Sequence, residues 1–200
     1  MHTGLNPWNA FSSLPDGYVP LEKMDLTQKE QAKTVLGLSL GLIIPWLALG
    51  IWLSPVLDVR QLVKEGAFLH LLAVLVGVAV YIPGHEAVHG ALMWHFSRVR
   101  PRFGLKLMYA YAGSDVYFAK RAYLCIALAP LLVWGIALTV LSQLAPLTWF
   151  WPVWMVQLMN ITGAAGDLYV SWKIGRMPAT VLVQDTGVAM TVYDLENRAG

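Results

Sequence analysis

Between Ala122 and Trp172 only one side chain, Asp167, belongs to the set of Asp, Glu, Lys, Arg and His. A run so long and so apolar has no polar face to offer water, which a helix at the surface of a soluble domain needs. Two earlier segments share its character. Thr34 to Leu57 carries no charge, and Gly66 to Pro83 carries only His70 before the chain continues toward Trp94. At ~1.5 Å per residue each is long enough to cross about 30 Å of hydrocarbon. Pro146 and the Gln143 to Thr148 region divide the long run into Ala122 to Leu144 and about Trp149 to Trp172. The fold expected is mainly α: a polytopic membrane protein with four transmembrane helices and small cytoplasmic β-hairpins. Composition agrees, with 57 % hydrophobic and 13 % charged residues.

The remaining segments are short and polar. Residues 1–20 hold Pro7, Pro15, Gly17 and Pro20 without apolar periodicity and read as a loose tail. The first apolar run starts near Val35 and is too long for a signal peptide, so it is expected to stay in the mature protein. Thr27 and Glu30 have capping-box spacing, which predicts a helix start near Gln28. Asp58 to Glu65 is a polar link. In the polar insertion from Arg98 to Arg121, apolar and small residues alternate over Phe103 to Tyr111, predicting a strand, then a turn at 112–115 and a second strand over Val116 to Ala119. An edge of that hairpin is a candidate for pairing with an extended substrate segment. Thr180 to Gln184 and Val188 to Tyr193 flank Asp185-Thr186-Gly187, a second predicted hairpin. The organisation expected is thus a tail and helix start over 1–33, a four-span domain over 34–172 and a C-terminal tail over 173–200. Cys125 has no partner cysteine, which excludes a disulfide.

Four spans place the N-terminus, the 98–121 insertion and the C-terminus on one side. Of the 14 Lys and Arg, only Arg60 and Lys64 fall on the other side. The positive-inside rule makes the first side cytoplasmic, where its basic loop also favours anionic headgroups. The partners expected are a bilayer, a bacterial cell membrane, and a protein or peptide substrate; no nucleic acid is expected.

The second span runs into Gly84-His85-Glu86-Ala87-Val88-His89-Gly90, an H-E-x-x-H sequence. On a helix, positions i and i+4 share a face one turn apart, so His85 and His89 can both turn an imidazole nitrogen to one zinc ion. Glu86 falls beside them, placed as general base toward a water whose pKa the metal lowers. His70 lies some four turns earlier and reads as a packed or interfacial histidine, and His95 points away from the shared face. Depth supplies the third ligand. His85 lies about 28 Å along the second span from Gly66, and Asp167 about 27 Å along the fourth from Trp149, both spans entering from the outer side. A carboxylate at that depth needs a partner, and a zinc ion at the same level is one. Gly163-Ala164-Ala165-Gly166 is a small-x-x-small stretch that would let two helices approach. Asp115, Asp185 and Asp194 are weaker ligand candidates, in cytoplasmic loops.

The His85–His89 helix, the Asn160-to-Asp167 segment and the tail around Gln184-Asp185-Thr186-Gly187 resemble the bacterial zincin peptidases of the membrane. More distantly they are similar to site-2 proteases, which carry H-E-x-x-H on one transmembrane helix and an aspartate ligand on another. The resemblance covers about Gly66 to Tyr193. It implies His85, His89 and Asp167 as zinc ligands, Glu86 as general base and acid, and Asn160 as a substrate-contacting residue. The activity expected is zinc-dependent hydrolysis of peptide bonds in membrane or juxtamembrane proteins near the cytoplasmic face. The alternative is a membrane protein whose zinc is structural or sensory.

Overall fold

The computed structural model of the protein describes residues 6–54, 66–106, 109–187 and 189–196. Three helices are long and apolar enough to cross a membrane: α1 (Lys29–Leu53), α2 (Ala67–Ser97) and α3 (Lys120–Leu144). They match the first three expected spans. Pro45, Pro83 and Pro130 lie inside them without ending them. The expected polar link at Asp58 to Glu65 lies outside the described residues.

The fourth expected span is not one helix. After a 3₁₀ turn at Leu147–Trp149 come α4 (Phe150–Gly163) and α5 (Ala165–Gly175), with Ala164 between them. At ~1.5 Å per residue these measure about 21 and 17 Å, short of a bilayer core. Local chemistry explains the interruption. Gly163 is a poor helix former, and Thr162 turns its hydroxyl back onto the Leu158 carbonyl at 2.9 Å, a bond that weakens a helix. The Ala164 N–H returns to the carbonyls of Asn160 and Thr162. The small-residue stretch therefore marks a helix break. The nearest groups to a side chain added at Gly163 or Gly166 are the Tyr81 hydroxyl and Leu26 Cδ1, not another helix backbone.

The chain forms two compact units. One comprises Met1–Ala32, Glu86–Ala129 and Gly166–Gly200. It is built on an antiparallel sheet of order β1-β5-β6-β7-β2, with β1 (Ala10–Phe11), β2 (Tyr18–Met24), β5 (Tyr117–Ala119), β6 (Leu182–Asp185) and β7 (Met190–Leu195). The segment read as a loose tail, residues 1–20, thus supplies edge strand β1 and the first three residues of the other edge, β2. Pro20, which looks like a loop residue, sits on edge strand β2 beside a bulge, where a missing N–H costs no ladder bond. β6 and β7 are the expected C-terminal hairpin, with Val183 opposite Val192; Val188 lies outside the described residues. One face of the sheet is apolar, and Phe118, Val183 and Val192 meet Met93, Ile126, Val170 and Ile174 from the helices of this unit.

The expected strand over Phe103 to Tyr111 is instead a second hairpin, β3 (Arg102–Lys106) against β4 (Tyr109–Gly113). Phe103 and Leu105 oppose Ala112 and Ala110, and Tyr111 opposes Gly104, so the large residues of the two strands fall on opposite faces and the unbroken alternation in the sequence gave no sign of the reversal. Leu107 and Met108 lie outside the described residues. Gly113 is where this hairpin meets the β6–β7 turn: a Cβ there would come within 2.3 Å of the Thr186 carbonyl.

The other unit comprises Lys33–His85 and Pro130–Ala165. Two of its amide side chains face inward and many of its largest apolar ones outward. Gln157 and Asn160 are buried. Gln157 donates to the Gly135 carbonyl at 3.0 Å and to Thr139 Oγ1 at 3.1 Å. Ile44, Trp52, Phe68, Leu75, Ile136 and Leu144 stand exposed. Bilayer-facing helices distribute residues this way, because lipid welcomes apolar side chains and leaves polar ones to find partners between helices. Trp154 stacks between Trp46 and Phe150, with centroids 5.3 and 5.4 Å away.

Candidate metal centre

The H-E-x-x-H sequence lies within α2, so His85 and His89 stand one turn apart on a continuous helix. Its flanking glycines admit aromatic rings. A Cβ on Gly84 would lie 2.4 Å from Trp134 Cζ2, and one on Gly90 would lie 2.3 Å from Phe103 Cζ. Only glycine lets those rings rest directly on the helix at these two points.

Each histidine is oriented through Nδ1. His85 Nδ1 is 2.8 Å from the hydroxyl of Tyr81, one turn earlier on α2. His89 Nδ1 donates to the Ile126 carbonyl at 2.9 Å; a carbonyl only accepts, so the proton sits on Nδ1. In both rings Nε2 is then the nitrogen for a metal. His89 Nε2 stands 3.5 Å from Asp167 Oδ1. Asp167 lies in the first turn of α5, where the exposed N–H groups of a helix start favour a carboxylate. Ligand atoms of His85, His89 and Asp167 all lie within 4.8 Å of one another.

The spacing of His89 and Asp167 fits zinc. A tetrahedral ion with bonds of ~2.0–2.2 Å holds its ligands about 3.3 Å apart, close to the 3.5 Å between His89 and Asp167. Two neutral imidazoles with occupied Nδ1 positions and one carboxylate are a donor set that zinc accepts. His85 and His89 are buried, while the Asp167 side chain keeps 23 % of its surface.

Glu86 is held separately. Its Oε2 accepts the Ala112 N–H at 2.8 Å. An amide has one hydrogen, so at Ala112 strand β4 donates away from β3, and its outer edge faces the Glu86 carboxylate.

The other expected residues fall elsewhere. Asn160 is fully buried, its amide donating at 3.3 Å to the Leu131 carbonyl and to Gln157 Oε1. It joins α3 to α4 within its own unit. Asp115 pairs with Arg102 at the surface, and Asp194 accepts from Thr180. His70 packs edge-on against Trp149. Asp185 is more involved than its loop position indicated. Its carboxylate is enclosed, accepting from the Tyr123 hydroxyl and the Gly187 N–H, each at 2.8 Å. Burial pushes its pKa up and the negative charge of Asp167 adds to the rise, against those two hydrogen bonds and the influence of His89. Tyr81 and Ile126 went unnoticed in the sequence. Tyr81 was available from its i−4 spacing to His85, but a main-chain carbonyl leaves no such trace.

Apolar helices of membrane-crossing length and a group of two histidines and a carboxylate on α2 and α5 define a class of helical membrane-type protein with a candidate metal centre. The chain belongs to the family described as "Putative zincin peptidase", whose model matches residues 78–182, more than half of its length. The match begins within α2 upstream of His85 and ends at the start of β6, leaving α1 and strands β1, β2 and β7 outside. No curated protein and no solved structure gives a match.

Proposed function

We propose that the protein is a zinc-dependent, membrane-embedded peptidase that hydrolyses peptide bonds of membrane or juxtamembrane proteins near the cytoplasmic face. The observation that carries this reading is the convergence of His85, His89 and Asp167, with the Nδ1 of each histidine already engaged. These three residues would hold the metal. When bound, zinc supplies a Lewis acid that polarises a carbonyl and lowers the pKa of water toward ~7.

Glu86 does the proton work. It takes a proton from the water whose oxygen attacks the scissile carbonyl carbon, and it delivers that proton to the amide nitrogen as the C–N bond breaks. Ala112 fixes the carboxylate for this task through its N–H. A helical substrate has its carbonyls engaged within the helix and must unwind before cleavage. The outer edge of β4 is suited to hold the unwound segment, since it presents main-chain groups beside Glu86. The excess of Lys and Arg in the termini and the 98–121 segment supports a cytoplasmic location for both termini and for this edge.

Glu86→Gln separates this reading from a structural or sensory zinc. Cleavage of an unfolded transmembrane peptide by purified protein in liposomes should fall by roughly 10²–10⁴-fold, while bound zinc, measured by elemental analysis, stays at the wild-type level. An unchanged cleavage rate would sink the enzyme reading.

A further inference from the structure

Ile126 sits one helical turn before Pro130 on α3, and α3 continues through both without a break. In an α-helix the carbonyl of residue 126 accepts from the N–H of residue 130. Proline has no N–H, so that bond cannot form. A carbonyl left without a partner in an apolar span is costly, and neighbouring polar groups are recruited to it. Here the recruit is His89, whose Nδ1 lies 2.9 Å away.

We propose that Pro130 is a positioning residue of the metal centre: by withholding a main-chain N–H it releases the Ile126 carbonyl to orient His89 and fix its tautomer. The inference rests on the reading of His89 as a metal ligand. Its steps are local. The Ile126 side chain is buried in the core of the sheet-bearing unit, which fixes this turn of α3. The carbonyl, an acceptor only, leaves His89 one neutral tautomer, with the proton on Nδ1. Nε2 is then the ring nitrogen without a proton, and it is the atom 3.5 Å from Asp167. His85 has no equivalent constraint, because the Tyr81 hydroxyl both donates and accepts. The backbone therefore sets the chemistry of one of the two ligand rings, and a residue without side-chain polarity decides it.

The test compares three forms of the full-length protein in detergent: wild type, Pro130→Ala, and a form with the α-hydroxy acid analogue of alanine at position 130. Alanine restores the N–H and returns the Ile126 carbonyl to the helix. The hydroxy acid puts an ester oxygen in its place, so it lacks both the ring and the N–H. Zinc affinity, read by chelator competition, should fall about 10–100-fold in Pro130→Ala, the usual loss when a ligand's outer partner is removed. The ester form should bind within a few-fold of wild type. Nitrogen-15 spectra of the zinc-loaded protein give a second readout: His89 protonated at Nδ1 in wild type and ester, and a mixture of Nδ1- and Nε2-protonated rings in Pro130→Ala. Wild-type affinity in Pro130→Ala overturns the proposal. So does an ester form as weak as Pro130→Ala, which would assign the effect to the ring and its kink. Wild-type protein that binds no zinc overturns the metal reading itself, a separate and recognisable failure.

Discussion

Asp167→Ala tests the donor set at its least obvious member. His85 and His89 share a helix, whereas Asp167 reaches the group from α5, and its Oδ1 is 3.5 Å from His89 Nε2. Four-ligand zinc sites bind with about 10–16 kcal/mol, or roughly 2.5–4 kcal/mol per ligand. At about 1.4 kcal/mol per tenfold, losing one ligand weakens binding by two to three orders of magnitude. The partial exposure of the carboxylate, 23 %, places the expected loss at the lower end, near 100-fold, because water can take up part of the vacated role. The assay is titration of metal-stripped, full-length protein against a chromophoric chelator, in micelles and again in a bilayer. Asp115→Ala is the internal control, since that carboxylate is exposed and paired with Arg102, and its affinity should match wild type. Asp167→Ala binding within threefold of wild type removes Asp167 from the ligand set. Asp185, whose enclosed carboxylate feels the charge of Asp167, then becomes the next candidate.

Two other perturbations bear on the surroundings of the centre. Tyr81→Phe deletes the hydroxyl at His85 Nδ1 and should weaken zinc binding about tenfold, the low end for an outer-shell partner; an unaltered affinity would show that His85 needs no such support. Asp185 carries a pH signature. Its native pKa is raised by burial above the ordinary carboxylate value of about 3.9, so its contribution to stability is fully present below that value and is lost as pH rises through the native pKa. In the metal-free protein Asp185→Asn should therefore flatten the loss of stability that wild type shows above about pH 4, and superimposable unfolding profiles across a pH series would refute the assignment.

The three long helices were legible because a lipid-sized run without charge has few other uses, and the His85–Glu86–His89 face followed from helical spacing alone. Asp167 was singled out through depth, even though the helix assumed for that argument is interrupted at Ala164. What escaped depends on partners distant in sequence. Nothing local in residues 6–24 shows that Tyr18 will pair with Leu195. The alternation over Phe103 to Tyr111 runs unbroken in the sequence although its large residues end on opposite faces of the hairpin, so one strand and two strands look alike there. The small residues at 163–166 were read as a packing surface when their weak hold on helical geometry was the stronger effect. The role of Pro130 was hidden because it acts through an atom that every residue possesses.

The rings resting on Gly84 and Gly90 extend the motif beyond the letters that define it. A methyl group at either glycine would overlap Trp134 or Phe103 by about an ångström, so the ring must move or shrink to admit it. The packed unit is therefore G-H-E-x-x-H-G together with positions 134 and 103. Grafting the seven residues onto a foreign helix would carry over two of the three ligands but leave two notches with nothing to fill them.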